Sequence, residues 1–409
     1  MHLARVWLPS VTGAGYNEAG GQDCKGRTDT ILGMNSSQPA AHDTYAALRV
    51  PEFRYWMAAT AFSSLAARAL TVAIGYQVYT VTKSPLALGL LGLVQAIPAV
   101  GLALFGGHLA DRYDRRTIVL ITRAVSVLSA LGFAWVSLDV QGSGLLALYV
   151  IVFIAGIARG FADPAASAFE AQVVPRELYS NAASWGGSVW EVTAIAGPTL
   201  GGLFYAAFGV TYTYLLVALL YALGWIFMVL IKRKPMPPAA PQESLRQSIA
   251  VGVRYVYHHQ VLLASMALDL FAVLFGGAVA LLPIFAGDIL HVGPAGLGLL
   301  VAAPSVGALI SMVWTMRHPP VDNAGRLLLV VVAGFGVATI VFALATTMWL
   351  SLLTLAAAGM FDGVSVVIRN TTLRLLSPEH LRGRIAAVKC VIIGSSNELG
   401  AFESGVAAT

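Results

Sequence analysis

Eleven apolar runs, each about as long as a bilayer is thick, decide what this chain can fold into. They fall at 55–81, 86–110, 117–138, 144–168, 181–208, 211–231, 261–287, 294–316, 326–345, 349–374 and 383–407. Roughly 20 apolar residues in a helix cross the hydrocarbon core. The runs show no alternation of period two, so strands are not expected. Only 11% of residues are charged and the mean hydropathy is +0.76, where a soluble domain is about 25% charged. The chain is therefore expected to be an all-α polytopic membrane protein, with the lipid bilayer as its surroundings.

The loops set its orientation. After even-numbered runs stand Arg112, Arg115, Arg116, Arg176, Lys232, Arg233, Lys234, Arg246, Arg254, Arg317, Arg326, Arg374, Arg382 and Arg384; after odd-numbered runs only Lys83 stands. Basic loops stay on the cytoplasmic side, so the N-terminus is expected there. The net charge of +5 is thus a topology signal, and no nucleic-acid partner is expected. Cys24 and Cys390 make no disulfide framework.

The chain divides into a disordered cytoplasmic leader (1–50), a six-helix bundle (51–231), a proline-containing cytoplasmic linker (232–260) and a second bundle (261–409). The linker ends in an amphipathic segment, Leu245–Tyr257. The bundles repeat. Pro85 with Leu88-Gly89-Leu90-Leu91 is echoed by Pro294 with Leu297-Gly298-Leu299-Leu300. Pro98-Ala99-Val100-Gly101 is echoed by Pro304-Ser305-Val306-Gly307, and Pro175 before run five by Pro378 before run eleven. Runs two and eight, and five and eleven, are therefore equivalent, as in parallel-repeat transporters. The second bundle has five runs where the repeat calls for six, so the twelfth helix is expected to be missing.

Two motifs stand out. Between runs two and three lies Gly107-His-Leu-Ala-Asp111-Arg112-Tyr-Asp114-Arg115-Arg116. In run five lies Gly197-Pro198-Thr199-Leu200-Gly201-Gly202, where proline bends the helix and Gly197 and Gly201 form a small face for a neighbouring helix. The first motif resembles the signature loop of the major facilitator superfamily, with Asp114 where that family usually has a second glycine. Aspartate tolerates the left-handed turn a glycine there would take. The resemblance implies that Asp111 caps and salt-bridges a cytoplasmic gate between the halves. Gly-Pro-x-x-Gly-Gly resembles the signature of facilitators that run as antiporters. Phe361-Asp362-Gly363, Arg369, Arg382-Gly383-Arg384, Ser396-Asn397-Glu398-Leu399-Gly400 and Glu403-Ser404-Gly405 resemble the enterobactin-exporter branch, which includes macrolide-efflux-like proteins.

Ionisable residues in mid-membrane are expensive and normally face a cavity or a partner. The candidates for a proton or substrate cavity are Arg68, Arg159, Glu191, Asp269, Asp362, Arg369 and Glu398. Arg159 and Asp163 are four apart and read as a pair; Asp362 and Arg369 share a helix face. Arg159 and Asp362 each stand 16 residues before the equivalent prolines, Pro175 and Pro378, so they are expected to face each other across a central cavity. Trp185, Trp190, Tyr76 and Phe271 are further candidates to line it.

No metalloprotease His-Glu-x-x-His, no Gly-x-Ser-x-Gly and no phosphate-binding Gly-x-x-x-x-Gly-Lys-Ser/Thr occurs, so neither an enzyme nor an ATP-driven pump is expected. No cofactor and no metal are expected either. The resemblance implies a monomeric, inner-membrane secondary transporter that exports a siderophore or drug-like small molecule in exchange for protons. A proton-coupled importer of the same fold and a non-functional fragment lacking helix twelve are the alternatives.

Overall fold

The computed structural model describes residues 43–139, 144–234, 245–275, 277–318, 323–378 and 381–409. Tyr45–Thr409 form one compact unit; of the other, Met1–Thr44, only Asp43 and Thr44 are described. The leader expected over 1–50 thus lies mostly outside the described residues, as do Cys24 and the linker prolines. Its last part is built. Ala47–Arg49 make a 3-10 turn, and the fully buried Ala47 donates its N–H to Asn181 Oδ1 at 3.1 Å.

The first half holds α1 (Pro51–Thr82), α2 (Pro85–Arg112), α3 (Arg115–Val136), α4 (Gly144–Val173), α5 (Tyr179–Phe208) and α6 (Val210–Val229). Pro51 and Pro85 stand in first turns, where a missing N–H leaves no helix bond unmade. Gly209, at φ 85°, makes the sharp turn from α5 to α6. The linker contributes α7 (Leu245–His258), the amphipathic segment expected there. Its Tyr255 hydroxyl donates to Leu376 O at 2.8 Å, and Val256 packs with Met266, Leu381, Ile385 and Val388.

The second half holds α8 (Gln260–Phe275), α9 (Leu282–Ile284), α10 (Gly293–Arg317), α11 (Ala324–Ala343), α12 (Met348–Leu376) and α13 (Arg382–Ala407). Here one expectation is corrected. The run 261–287 is not one helix: α8 gives way to a 3-10 turn at Gly277–Leu281, then α9 with Pro283 in its first turn, then a π turn at Phe285–Ile289. Proline supplies no N–H to continue a ladder from the preceding turn.

Among the described residues, nine helical stretches are both long and apolar enough to cross a membrane. The remaining two segments are α5 and α13, 30 and 26 residues long and less apolar. Both pack in the seam between the halves, α5 on α10 and α13 on α2. Since α2 is equivalent to α10 and α5 to α13, exchanging the halves turns one seam into the other.

Glycine makes both seams possible. A Cβ added at Gly202 would fall 2.9 Å from Gly298 Cα, and one at Gly405 would fall 2.9 Å from Gly89 Cα. Without side chains the backbones come into direct contact, which is how helices attract one another where lipid removes the hydrophobic drive. Within the halves, Gly156 packs on Pro98 and Gly359 on Pro304, again at equivalent positions. The four seam glycines all lie near helix ends on the face away from the arginine-rich loops. We call these the far face and the basic face.

Candidate functional site

A cavity of about 530 Å³ lies between the halves, on the basic side of the two seams. Its apolar end is formed by residues such as Val72, Leu88, Leu297 and Phe342, next to the seams. Its polar part takes Gln95 and Arg159 from the first half and Asp269, Asp362, Arg369 and Asn397 from the second. Arg159 and Asp362, expected to face one another, line this same cavity.

The charges are held differently on the two walls. In the first half, Arg159 Nε pairs with Asp163 Oδ2 at 3.4 Å along one helix, with side chains 54% and 71% exposed. Arg68 and Glu191, expected at the cavity, are not among the described residues that line it; Arg68 lies over the Trp190 ring, 4.5 Å from its centroid, within electrostatic reach of Glu191 and Arg159. In the second half, Arg369 is buried and bridges two helices. It contacts the buried Asp269 of α8 and, at 3.3 Å, the half-exposed Asp362 of its own α12. Among the described residues Arg369 Nε has no hydrogen-bond partner. Glu398 lies on α13, but its side chain is outside the described residues.

The aromatic expectations change. The cavity rings are Phe335, Phe342 and Phe361. Tyr76 stacks edge-on against Tyr205, Trp185 packs on Tyr45, and Trp190 carries Arg68. Phe271 is exposed. Arg123, another mid-helix cation, donates to Gly224 O at 3.1 Å and so ties α3 to α6 away from the cavity.

The basic loop between α2 and α3 fastens the first half to itself. Asp114 is the N-cap of α3, at φ −58°, and accepts from Arg116 N–H at 3.2 Å and Thr117 Oγ1 at 2.8 Å. The left-handed turn that a glycine there would make is therefore absent, and aspartate is chosen for its capping oxygen. Arg116 donates to Ile231 O and Val229 O at 2.6 and 2.7 Å, satisfying carbonyls at the end of α6. Arg115 pairs with Asp111 at 3.5 Å and donates to Ala168 O of α4 at 3.2 Å. Asp111 is 75% exposed and its ion pair stays within the half. Arg112 is exposed, and a Cβ at Gly107 would meet open space. The close approach is made instead by Gly106, which lies against Gly160 of α4.

In α5, Gly197 and Gly201 face α1, against Arg68 and Ala69. Gly202 faces α10. The run-five motif thus serves two packing partners at once, one inside the half and one across the seam, while Pro198 stands buried between them. At the far face the halves also meet through polar groups. Tyr79 Oη donates to Asp288 Oδ2 at 2.5 Å, and Lys83 Nζ pairs with Asp288 Oδ1 at 3.1 Å.

A family model described as Major Facilitator Superfamily matches residues 56–395. The chain belongs to that superfamily. This facilitator is accordingly a multi-pass transporter and not an enzyme. It is 29% identical over 336 residues to the enterobactin exporter EntS of Shigella flexneri, covering 82% of this chain and 80% of the relative. The EntS protein of Citrobacter koseri is 27% identical over the same shares. These relatives set the chain beside the enterobactin exporters within the superfamily, the branch its second-half motifs resemble.

The facilitator fold is also seen in solved structures. A bacterial homologue of the human lysosomal transporter Spinster, inward-facing and unoccupied, superposes with TM-score 0.68 at 15% identity, over 90% of this chain and 83% of that one. An inward-facing bacterial homologue of the iron transporter ferroportin gives TM-score 0.65 at 16% identity, over 88% and 91%. For this facilitator, sequence reading missed Tyr79, Lys83, Asp288 and the Asp269–Arg369 pairing. Asp288 had one signal, an acid closing an apolar run just before His291 and Gly293.

Proposed function

We propose that this facilitator exports a siderophore, or a similarly amphipathic drug-like molecule, across the inner membrane in exchange for protons. The observation that carries the reading is the shared cavity, with an apolar end and charge contributed in mid-membrane by both halves. Its volume of about 530 Å³ suits a small molecule rather than a bare ion. The enterobactin-exporter relatives support a siderophore as the cargo. The arginine-rich loops support a cytoplasmic N-terminus, and with it the basic face as the cytoplasmic one. In that orientation the seams and the Asp288 contacts with Tyr79 and Lys83 hold the external face together, and the cavity lies on their cytoplasmic side.

Alternating access then requires the halves to rock about the seams while the cavity charges stay with their own halves. Asp362 is the carboxylate best placed to exchange a proton. Half of its side chain is exposed, and it competes with Asp269 for a single arginine. Protonating Asp362 frees Arg369 to bind Asp269 alone; releasing the proton draws it back. Substrate entering beside this pair competes with the proton for the same polar wall.

The test is uptake of radiolabelled enterobactin into inverted membrane vesicles with an acid interior. The expected result is gradient-driven uptake, abolished by a protonophore, reduced in Asp111→Asn, and uncoupled from pH in Asp362→Asn. Uptake indifferent to the gradient in the parent protein would overturn proton antiport.

A further inference from the structure

We propose that Asp288, Tyr79 and Lys83 are the far-side gate of the transport cycle, a polar latch that must open each time the cavity turns outward. The proposal rests on the orientation given above, in which the far face is the external one. Both oxygens of one carboxylate are engaged, each by a donor from the other half. Asp288 Oδ2 accepts from Tyr79 Oη at 2.5 Å and Asp288 Oδ1 pairs with Lys83 Nζ at 3.1 Å. At the basic face, by contrast, Arg115–Asp111 lies within the first half, and Arg233–Asp114 and Lys234–Glu52 tie the start of the linker back to that same half. The latch therefore acts between the moving bodies, whereas those pairs act within one of them.

The backbone on both sides is specialised for this contact. Lys83, the C-cap of α1, is left-handed at φ 51°, and His291, just past the π turn, is left-handed at φ 52°. Among the described residues only Asn323 joins them as a non-glycine residue with positive φ. Such conformations are unfavourable for residues with a Cβ and persist where surrounding contacts specify them. The Asp288 carboxylate is itself presented by the π turn Phe285–Ile289, where Leu290 N–H reaches back to Phe285 O at 2.8 Å. Irregular turns of this kind are frequent at functional sites. Lys83 Nζ also sits 5.0 Å from the centre of the Tyr79 ring, so the three groups form one unit.

The latch is also breakable. Lys83 and Asp288 side chains are 60% and 47% exposed, so water replaces much of what their separation loses. Beneath it, Val72 and Tyr76 of α1 pack against Leu282, Ala286 and Leu297, an apolar layer that separates the latch from the cavity. Opening the gate must part both layers. A polar latch over an apolar seal biases the equilibrium toward the closed far face without locking it.

The experiment measures sidedness without any substrate. Cys24 and Cys390 are replaced by serine, Gln95 in the cavity wall by cysteine, and labelling by a membrane-impermeant maleimide is compared in right-side-out and inverted vesicles. Asp288→Asn and Tyr79→Phe are each expected to raise labelling from the far side about fivefold and lower it from the basic side. The exchange Lys83→Asp with Asp288→Lys is expected to restore part of the parent ratio. Unchanged sidedness in both single variants would overturn the gate. Should they fail to fold, a Lys83→Cys/Asp288→Cys protein cross-linked by a short bismaleimide decides. The far-side label must then fall to background and transport must stop; transport at the parent rate in the cross-linked protein refutes the latch. Sidedness that responds as expected while no siderophore moves would leave the gate standing and remove the export reading instead.

Discussion

The two halves share one scaffold and use charge in opposite ways. In the first half the cavity charge, Arg159, is half-exposed and satisfied locally by Asp163 one turn away. In the second half Arg369 and Asp269 are buried and pair across helices, α12 to α8, while Asp362 beside them is half-exposed. A local, solvated pair contributes little and rearranges easily. A buried pair between helices is a different object, because removing one partner strands the other in a medium that cannot solvate it. The second half is thus the wall where a change of charge is felt by the packing.

Six substitutions break or sharpen this contrast. The largest effect is expected for Arg369→Ala, which strands Asp269; it should destabilise by about 3–5 kcal/mol, read as a collapse of thermal unfolding in detergent. Its counterpart Arg159→Ala should stay within about 1 kcal/mol, and equal costs for the two would erase the distinction. Next come Gly202→Leu and Gly405→Leu, one in each seam, each expected to cost about 1–3 kcal/mol and to stop transport. If only one of the pair matters in a transport assay, the seams are not mechanical equivalents. Asp362→Asn should change stability by less than about 1 kcal/mol, since Arg369 keeps Asp269, and should remove the pH dependence of counterflow. Asp163→Asn should shift the melting transition by only about 0.3–0.5 kcal/mol and leave transport near the parent rate.

Much of the scaffold was legible because lipid simplifies the code. Apolar length places nine of the segments among the described residues, and the prolines and glycines that punctuate the chain carry the repeat. Pro85 and Gly89, with Pro294 and Gly298, announce a seam that the structure then builds with Gly405 and Gly202. The offset of Arg159 and Asp362 from equivalent prolines was enough to put both at one cavity. The rest depends on contacts the chain does not rehearse. Tyr79 and Asp288 are 209 residues apart, and neither belongs to a helical spacing that links them. Asp269 and Arg369 stand on different helices, so periodicity pairs Arg369 with Asp362 and is silent on the more buried partner. The break after α8 hides inside an apolar run, because hydropathy does not distinguish a helix from a π turn. Asp114 looked like a substitute for a turn glycine, while its side-chain oxygen was capping α3.

The central claim is that the halves rock about the two glycine seams, so that the faces open in alternation. Spin-label distances across both faces test it most directly. Tyr113 and Leu375 report the basic face and Leu138 and Leu344 the far face, all four being exposed. In lipid nanodiscs, on changing pH or adding substrate, the Tyr113–Leu375 distance is expected to shorten while the Leu138–Leu344 distance lengthens. Two distances that change together, or a far face that never opens, would contradict the account.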